Sequence, residues 1–178
     1  VSMDVLTDVD RLSSALTDGL RIEAAAWKGE AGTAIGRNED LTRFYALIAE
    51  RAAKSKTLSL LFLKVGEKRI AFGYCLRHGR TLYLLKIGYD PEYAAYSPFN
   101  ALMSFAIEFA FREGFQAFDL LGCEEPWKRA WTDECTERRW LFLYRNTVRA
   151  QVIYQLKSVI LPKLKRRRFF PAFSEGQH

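Results

Sequence analysis

The sequence predicts an α/β fold, a central mixed sheet flanked by helices. Two observations carry this reading. Three strand-like runs, residues 58–65, 69–77 and 81–88, are separated only by GEK and HGR, spacers short enough for hairpins and so for an antiparallel meander. A helical stretch then separates the third run from another apolar strand at 116–121. A strand–helix–strand connection of that length favours parallel pairing.

The elements follow in order. Residues 20–27 (LRIEAAAW) read as a short helix opened by Thr17 or Asp18 and closed by Gly29. The glycine-rich stretch 29–36 is a loop. Asn38 is the expected N-cap of a helix reaching Lys54, with Leu41, Phe44, Tyr45, Leu47, Ile48 and Ala52 at helical spacing. After the meander, Ser97-Pro98 pairs an N-capping side chain with proline at the first helical position. Phe99, Leu102, Met103, Ala106, Phe109 and Ala110 then mark one face, and Gly114 ends the helix. Residues 140–144 read as a further strand. Val148, Val152, Leu156, Val159 and Ile160 mark a last helix, stopped at Pro162.

Composition narrows the function. A chain of 178 residues with 49% hydrophobic and 27% charged residues supports one globular domain, expected over residues 1–162, with 163–178 as a tail. No apolar run approaches the roughly 20 residues that span a bilayer, and a cytoplasmic location, with a place at the inner face of the membrane, is expected. The chain opens on Val1 rather than Met, so a longer parent chain is left open. Cys75, Cys123 and Cys135 form no C-x-x-C pair, which fits a reducing compartment. With only His78 and His178, no metal site and no histidine-based triad is expected. Carboxylates, tyrosines, lysines and backbone groups must do the chemistry.

The net charge of +6 is uneven. Lys163, Lys165, Arg166, Arg167 and Arg168 supply five positive charges, leaving the body near neutral. That weakens any nucleic-acid reading. In the tail (KLKRRRFFPAF), cations stand beside Phe169, Phe170 and Phe173. It reads either as a solvated terminus or as a contact with an anionic membrane.

The stretch 118–131, FDLLGCEEPWKRAW, concentrates a strand end, a glycine, three carboxylates, a lysine and two tryptophans. Together with Trp27-Lys28-Gly29, Leu85-Lys86, the run Tyr89-Asp90-Pro91-Glu92-Tyr93-Ala94 and Ser97-Pro98, it resembles the acyl-CoA N-acyltransferase (GNAT) superfamily over residues 17–146. The resemblance is to the branch named for the cellulose-biosynthesis protein CelD, itself similar to FemAB-type aminoacyl transferases, which carry two such folds in one chain. It implies that an N-terminal half belongs before this chain. It also implies an acyl donor, acetyl-CoA or another acyl-CoA, where strands 81–88 and 116–121 splay apart, and no metal.

The resemblance places backbone amides of Lys86, Ile87 and Gly88 at the oxyanion, and Ser97 and Asn100 in the turn that meets the diphosphate. In this chain that turn lacks glycine, and Pro98 lacks an amide donor. Candidate catalytic residues are Asp119, Lys128 and Tyr89. Asp119 either orients or deprotonates an acceptor, or bonds the amides of the following turn. Lys128 holds an acceptor's phosphate or carboxylate, or an oxyanion. Tyr89, or Tyr96, either protonates a thiolate or packs. Trp27, Lys28, Glu124, Glu125, Trp127 and Trp131 are candidates for the acceptor side, with helix capping for Lys28, solvation for the glutamates and core packing for the tryptophans as plain alternatives. The expected activity is acyl transfer to an amine or hydroxyl of a small molecule, cell-envelope sugar or glycan precursor. The alternatives are FemAB-like aminoacyl transfer, or a degenerate module that binds a partner or membrane and catalyses nothing.

Overall fold

The computed structural model describes residues 1–8, 10, 12–25, 38–137 and 141–161. Trp27, Lys28, Trp140 and the tail from 162 onward lie outside them. The chain divides into two compact units, Val1–Thr132 and Asp133–His178.

In the first unit, β1 (Ser2–Leu6), β2 (Leu58–Val65), β3 (Lys68–His78), β4 (Thr81–Tyr89) and β5 (Ala117–Asp119) form one five-stranded sheet in that spatial order. The first four pair antiparallel; β5 joins β4 in parallel, with Thr81, Leu82 and Tyr83 opposite Ala117, Phe118 and Asp119. The meander and the parallel crossover are therefore as the spacing predicts. β2 is apolar without alternation because both its faces are covered. Leu58, Leu60 and Phe62 pack under α1 (Leu12–Ala25) and α2 (Glu39–Lys54). Leu61 and Leu63 join the core under α3 (Pro98–Arg112). Burying one such side chain contributes about 1.5–3 kcal/mol before the entropy cost of ordering it.

Asn38 caps α2 as its side chain suggests, its Oδ1 accepting from the Leu41 amide at 3.1 Å. Three expectations need correction. First, α1 starts at Leu12, not near Leu20, and β1 precedes it. Gly19, a nominal helix breaker, lies within α1 because an added Cβ there would stand 2.3 Å from the Phe72 ring. Second, Ser97 makes no side-chain cap; it ends a 3-10 turn over Pro91–Tyr96 in the left-handed region, at φ 49°. Third, Leu141, Phe142, Leu143 and Tyr144 form no strand: a strand needs a partner, and none of the described strands pairs with them.

In the second unit, α5 (Val148–Tyr154) is capped by Thr147, whose Oγ1 accepts from the Ala150 amide at 3.3 Å, and runs on into a π-helical turn, Gln155–Ile160.

Candidate active site

The site follows from a mismatch of strand lengths. β5 ends opposite Tyr83 while β4 continues to Tyr89. Beyond that point the two parallel strands part over a cavity of about 600 Å³. Its walls are the far half of β4, the start of α3 at Ser97, Pro98, Phe99 and Asn100, and the loop from Leu120 to Lys128.

The far half of β4 is irregular for a reason visible in the register. Tyr74 pairs with Lys86 and Cys75 with Leu84, so Leu85 is an extra residue, a bulge. Alternation from Leu82 and Leu84 would send Lys86 toward α3. The bulge sends Ile87 there instead, into the core under α3, and turns Lys86 the other way, its Nζ 5.5 Å above the Tyr45 ring of α2. Lys86 therefore contributes to the cavity wall while its ammonium rests on an aromatic face.

The α3 end of the cavity is held by the Tyr89–Ala94 stretch. Asp90 donates its amide to the Ile70 carbonyl (2.8 Å) and caps the 3-10 turn by accepting from the Glu92 amide (3.1 Å). Lys68 of β3 reaches Glu92 at 3.1 Å and Asp90 at 3.2 Å, and lies 4.7 Å from the Tyr93 ring. Its hydrogen bonds to Glu92 and Asp90 raise the Lys68 pKa. The turn is thus tied down before Ser97 reverses the chain into α3. Pro98 has no N–H, and the first amides of a helix lack intrahelical partners, so the donors presented at this end are those of Phe99 and Asn100.

The opposite wall is the stretch that stood out in the sequence. Asp119 Oδ1 accepts from the Leu121 amide at 2.8 Å, closing a turn in which Leu121 takes φ 52° and Gly122 φ 68°. Lys128, on the short helix α4 (Pro126–Arg129), points its ammonium back into that turn. It donates to the Leu121 carbonyl (2.8 Å) and the Cys123 carbonyl (2.7 Å) and pairs with Glu125 (3.0 Å), its side chain only 13% exposed. All three N–H bonds of the ammonium are thereby engaged by the loop itself. Trp127 stands edge-on to Phe99 with ring centres 4.9 Å apart, and its Nε1–H donates to Glu125 at 2.8 Å. That contact joins α4 to α3 across the cavity.

Of the sequence candidates, the structure brings Lys86, Ile87, Gly88, Tyr89, Ser97, Asn100, Glu125, Trp127 and Lys128 to one cavity. Asp119 faces its own turn, Glu124 pairs with Arg129 at 2.7 Å, and Trp131 packs in the core under α3. Tyr96 is exposed. Two features escaped the sequence reading. Cys123 lies on the cavity wall. Behind the wall, Glu23 of α1 is fully buried, with its Cα 2.6 Å from where a Cβ on Gly88 would stand. Burial, and after it the charge of Glu23, pushes the Tyr45 hydroxyl pKa up. The available signal was a carboxylate on the buried stripe of Leu16, Gly19 and Leu20.

Among the described residues no group of three or more potential ligands gathers for a metal, and no helix is long and apolar enough to cross a membrane.

In the first unit the parallel pair of a mixed sheet parts over a cavity between a helix start and a polar loop. The model of the acetyltransferase (GNAT) domain family matches residues 1–129, and the chain belongs to that family. No curated protein sequence matches significantly. Among solved structures, a possible acetyltransferase from Clostridium difficile 630 superposes with TM-score 0.56 at 13% identity, over 79% of this chain and 97% of its own. The ribosomal-protein-alanine N-acetyltransferase from Brucella melitensis biovar Abortus 2308 gives 0.55 at 12%, over 80% and 98%. AAC(6')-Iy, solved with the bisubstrate analogue CoA-S-monomethyl-acetylneamine, gives 0.52 at 16%, over 82% and 99%. At these identities the likeness establishes the fold.

Proposed function

We propose that the chain transfers an acyl group from an acyl-CoA, acetyl-CoA or a longer homologue, to an amine or hydroxyl of a small molecule or glycan precursor. The observation that carries this is the cavity opened where β4 outruns β5. The far half of β4 offers an extended pantetheine a wall to follow, and the amides of Phe99 and Asn100 meet the diphosphate at the positive end of α3. Proline in place of a further donor makes that grip looser than a glycine-rich turn would.

In the reaction the acceptor's lone pair forms a bond to the thioester carbon, the carbon–sulfur bond breaks, and the thiolate takes up a proton. Backbone amides at 86–88 stabilise the oxyanion. Glu125, the carboxylate on the wall, takes the acceptor's proton, and Tyr89 returns one to the thiolate. Asp119 and Lys128 serve by fixing the turn that carries this wall. The carved apolar surface and the Phe99–Trp127 contact favour this over a degenerate binding module. The CelD-like, FemAB-related motifs point to an envelope or polysaccharide acceptor, to residues 1–162 as the catalytic half of a longer protein, and to a tail at the inner face of the membrane.

Cysteine reactivity and calorimetry test the donor site together. Cys75 is buried, which pushes its thiol pKa up, whereas Cys123 and Cys135 are exposed. A thiol reagent should modify Cys123 and Cys135 quickly and Cys75 only on unfolding. Acetyl-CoA or a longer acyl-CoA should protect Cys123 and leave Cys135 reactive, with heat of binding at the same concentrations. Absence of both protection and heat at millimolar acyl-CoA, in a chain that includes any N-terminal half, overturns the donor assignment.

A further inference from the structure

We infer that Lys86 is a specificity-determining residue for the acceptor, and that the acceptor carries a carboxylate or phosphate beside its nucleophile. The inference rests on the acyl-transfer reading for its placement, since it sets the acceptor against the α2 side of β4. The bulge at Leu85 turns the Lys86 side chain away from α3, and its Nζ stands 5.5 Å from the centre of the Tyr45 ring.

Three lysines among the described residues are partly buried. Lys64 pairs with Asp4 at 3.3 Å and Lys128 with Glu125 at 3.0 Å. Lys86, among the described residues, has no carboxylate within ion-pair distance and donates no hydrogen bond. Partial burial takes water from an ammonium, and an aromatic face replaces only part of what is lost. A cation left in that state on the wall of a cavity is a ready contact for an anion. Lys128, the other lysine on the same wall, is engaged by its own loop and leaves this contact to Lys86.

The surface beside the ammonium narrows the class further. Tyr45 meets Phe44 edge-on with ring centres 5.4 Å apart, and Phe44 is 54% exposed. Tyr45 is itself held in place: the Tyr74 ring packs against it at 5.6 Å, and the Tyr74 hydroxyl donates to the Tyr45 carbonyl at 3.1 Å. A fixed aromatic next to a half-exposed one gives a ligand an apolar surface to lie on, with Lys86 at its charged end. Lys86 also belongs to the stretch whose amides face the proposed oxyanion, so an acceptor gripped by this ammonium is gripped beside the thioester.

Calorimetry of the full chain saturated with CoA, which fills the donor's own anionic site, tests this. Phenyl phosphate and phenylacetate present the two anions on one ring, and 2-phenylethanol is the uncharged control. At least one of the anionic probes should bind roughly tenfold or more tightly than the alcohol, and whichever does so identifies the anion. Lys86→Met should remove that margin with the melting temperature unchanged, while Lys86→Arg should keep most of it. No binding of either anion, affinities equal to that of the alcohol, or a margin that survives Lys86→Met overturns the assignment. Absence of heat from CoA itself is a separate failure, that of the acyl-transfer reading. The comparison of Lys86→Met with the unaltered chain, repeated without CoA, then still decides whether Lys86 binds an anion.

Discussion

Lys128→Met should lower turnover by on the order of 10²-fold while the chain stays folded. The side chain is buried enough, and its three acceptors close enough, that the ammonium fixes the backbone from Leu121 to Cys123. That backbone is a wall of the cavity, and misplacing a reacting group by about 1 Å is costly at this scale. Methionine keeps the volume and removes the donors, so the turn loses its anchor while the two buried cores are untouched. Because the proposed donor site lies against this wall, KM for the acyl donor should rise along with the fall in kcat. Lys128→Arg should rescue only part of the loss, since a planar guanidinium does not reproduce the convergence of one nitrogen on two carbonyls and a carboxylate. A fall in kcat with KM for the donor unchanged points instead to contact with the reacting atoms in the transition state, and the role of Lys128 in fixing the turn fails.

Gly88→Ala should destabilise the fold by about 1–3 kcal/mol, the cost of overpacking a tight site. In a domain of this size that is a fall in Tm of roughly 2–4 °C per kcal/mol. The obstacle is main chain: the new Cβ would stand 2.6 Å from Glu23 Cα and 3.2 Å from its amide nitrogen, so α1 must move as a body or β4 must bend. Gly73→Ala on the neighbouring strand is the matched control. There the Cβ finds its nearest neighbour at 3.5 Å, in the Leu61 side chain, an ordinary contact, and the change should be neutral or slightly stabilising. Donor affinity should fall with Gly88→Ala as well, because Gly88 lies on the cavity wall. Equal melting temperatures for the two variants would show that α1 does not press on β4 as described.

Local signals were readable where they were complete in themselves. The spacers GEK and HGR and the Asn38 cap each rest on a few adjacent residues, and the crossover before Ala117 on one uninterrupted helical pattern. The missed features depend on residues distant in sequence. β1 is a strand because Ser2–Leu6 finds β2, not because SMDVL alternates strongly. α1 reads as interrupted at Gly19 until Phe72 is known to need the space. Ser97 resembles a cap by composition, but the 3-10 turn before it demands a left-handed residue at that point. For the site, the sequence located the wall at 118–131 and the strand at 81–88. It did not show which side chains face the cavity, since one extra residue at Leu85 reverses Lys86.

The spatial order of the sheet, β1 to β5 in sequence, has a kinetic meaning. Between β2 and β4 each contact closes a hairpin, cheap in chain entropy and early to form. β5 arrives only after the whole of α3 and holds by three residue pairs on one side. The cavity edge is therefore expected to complete late in folding, and its amides should exchange earlier than those of the meander, which native-state hydrogen exchange would read. Loosening confined to that edge would leave the register of the hairpins beneath it unchanged.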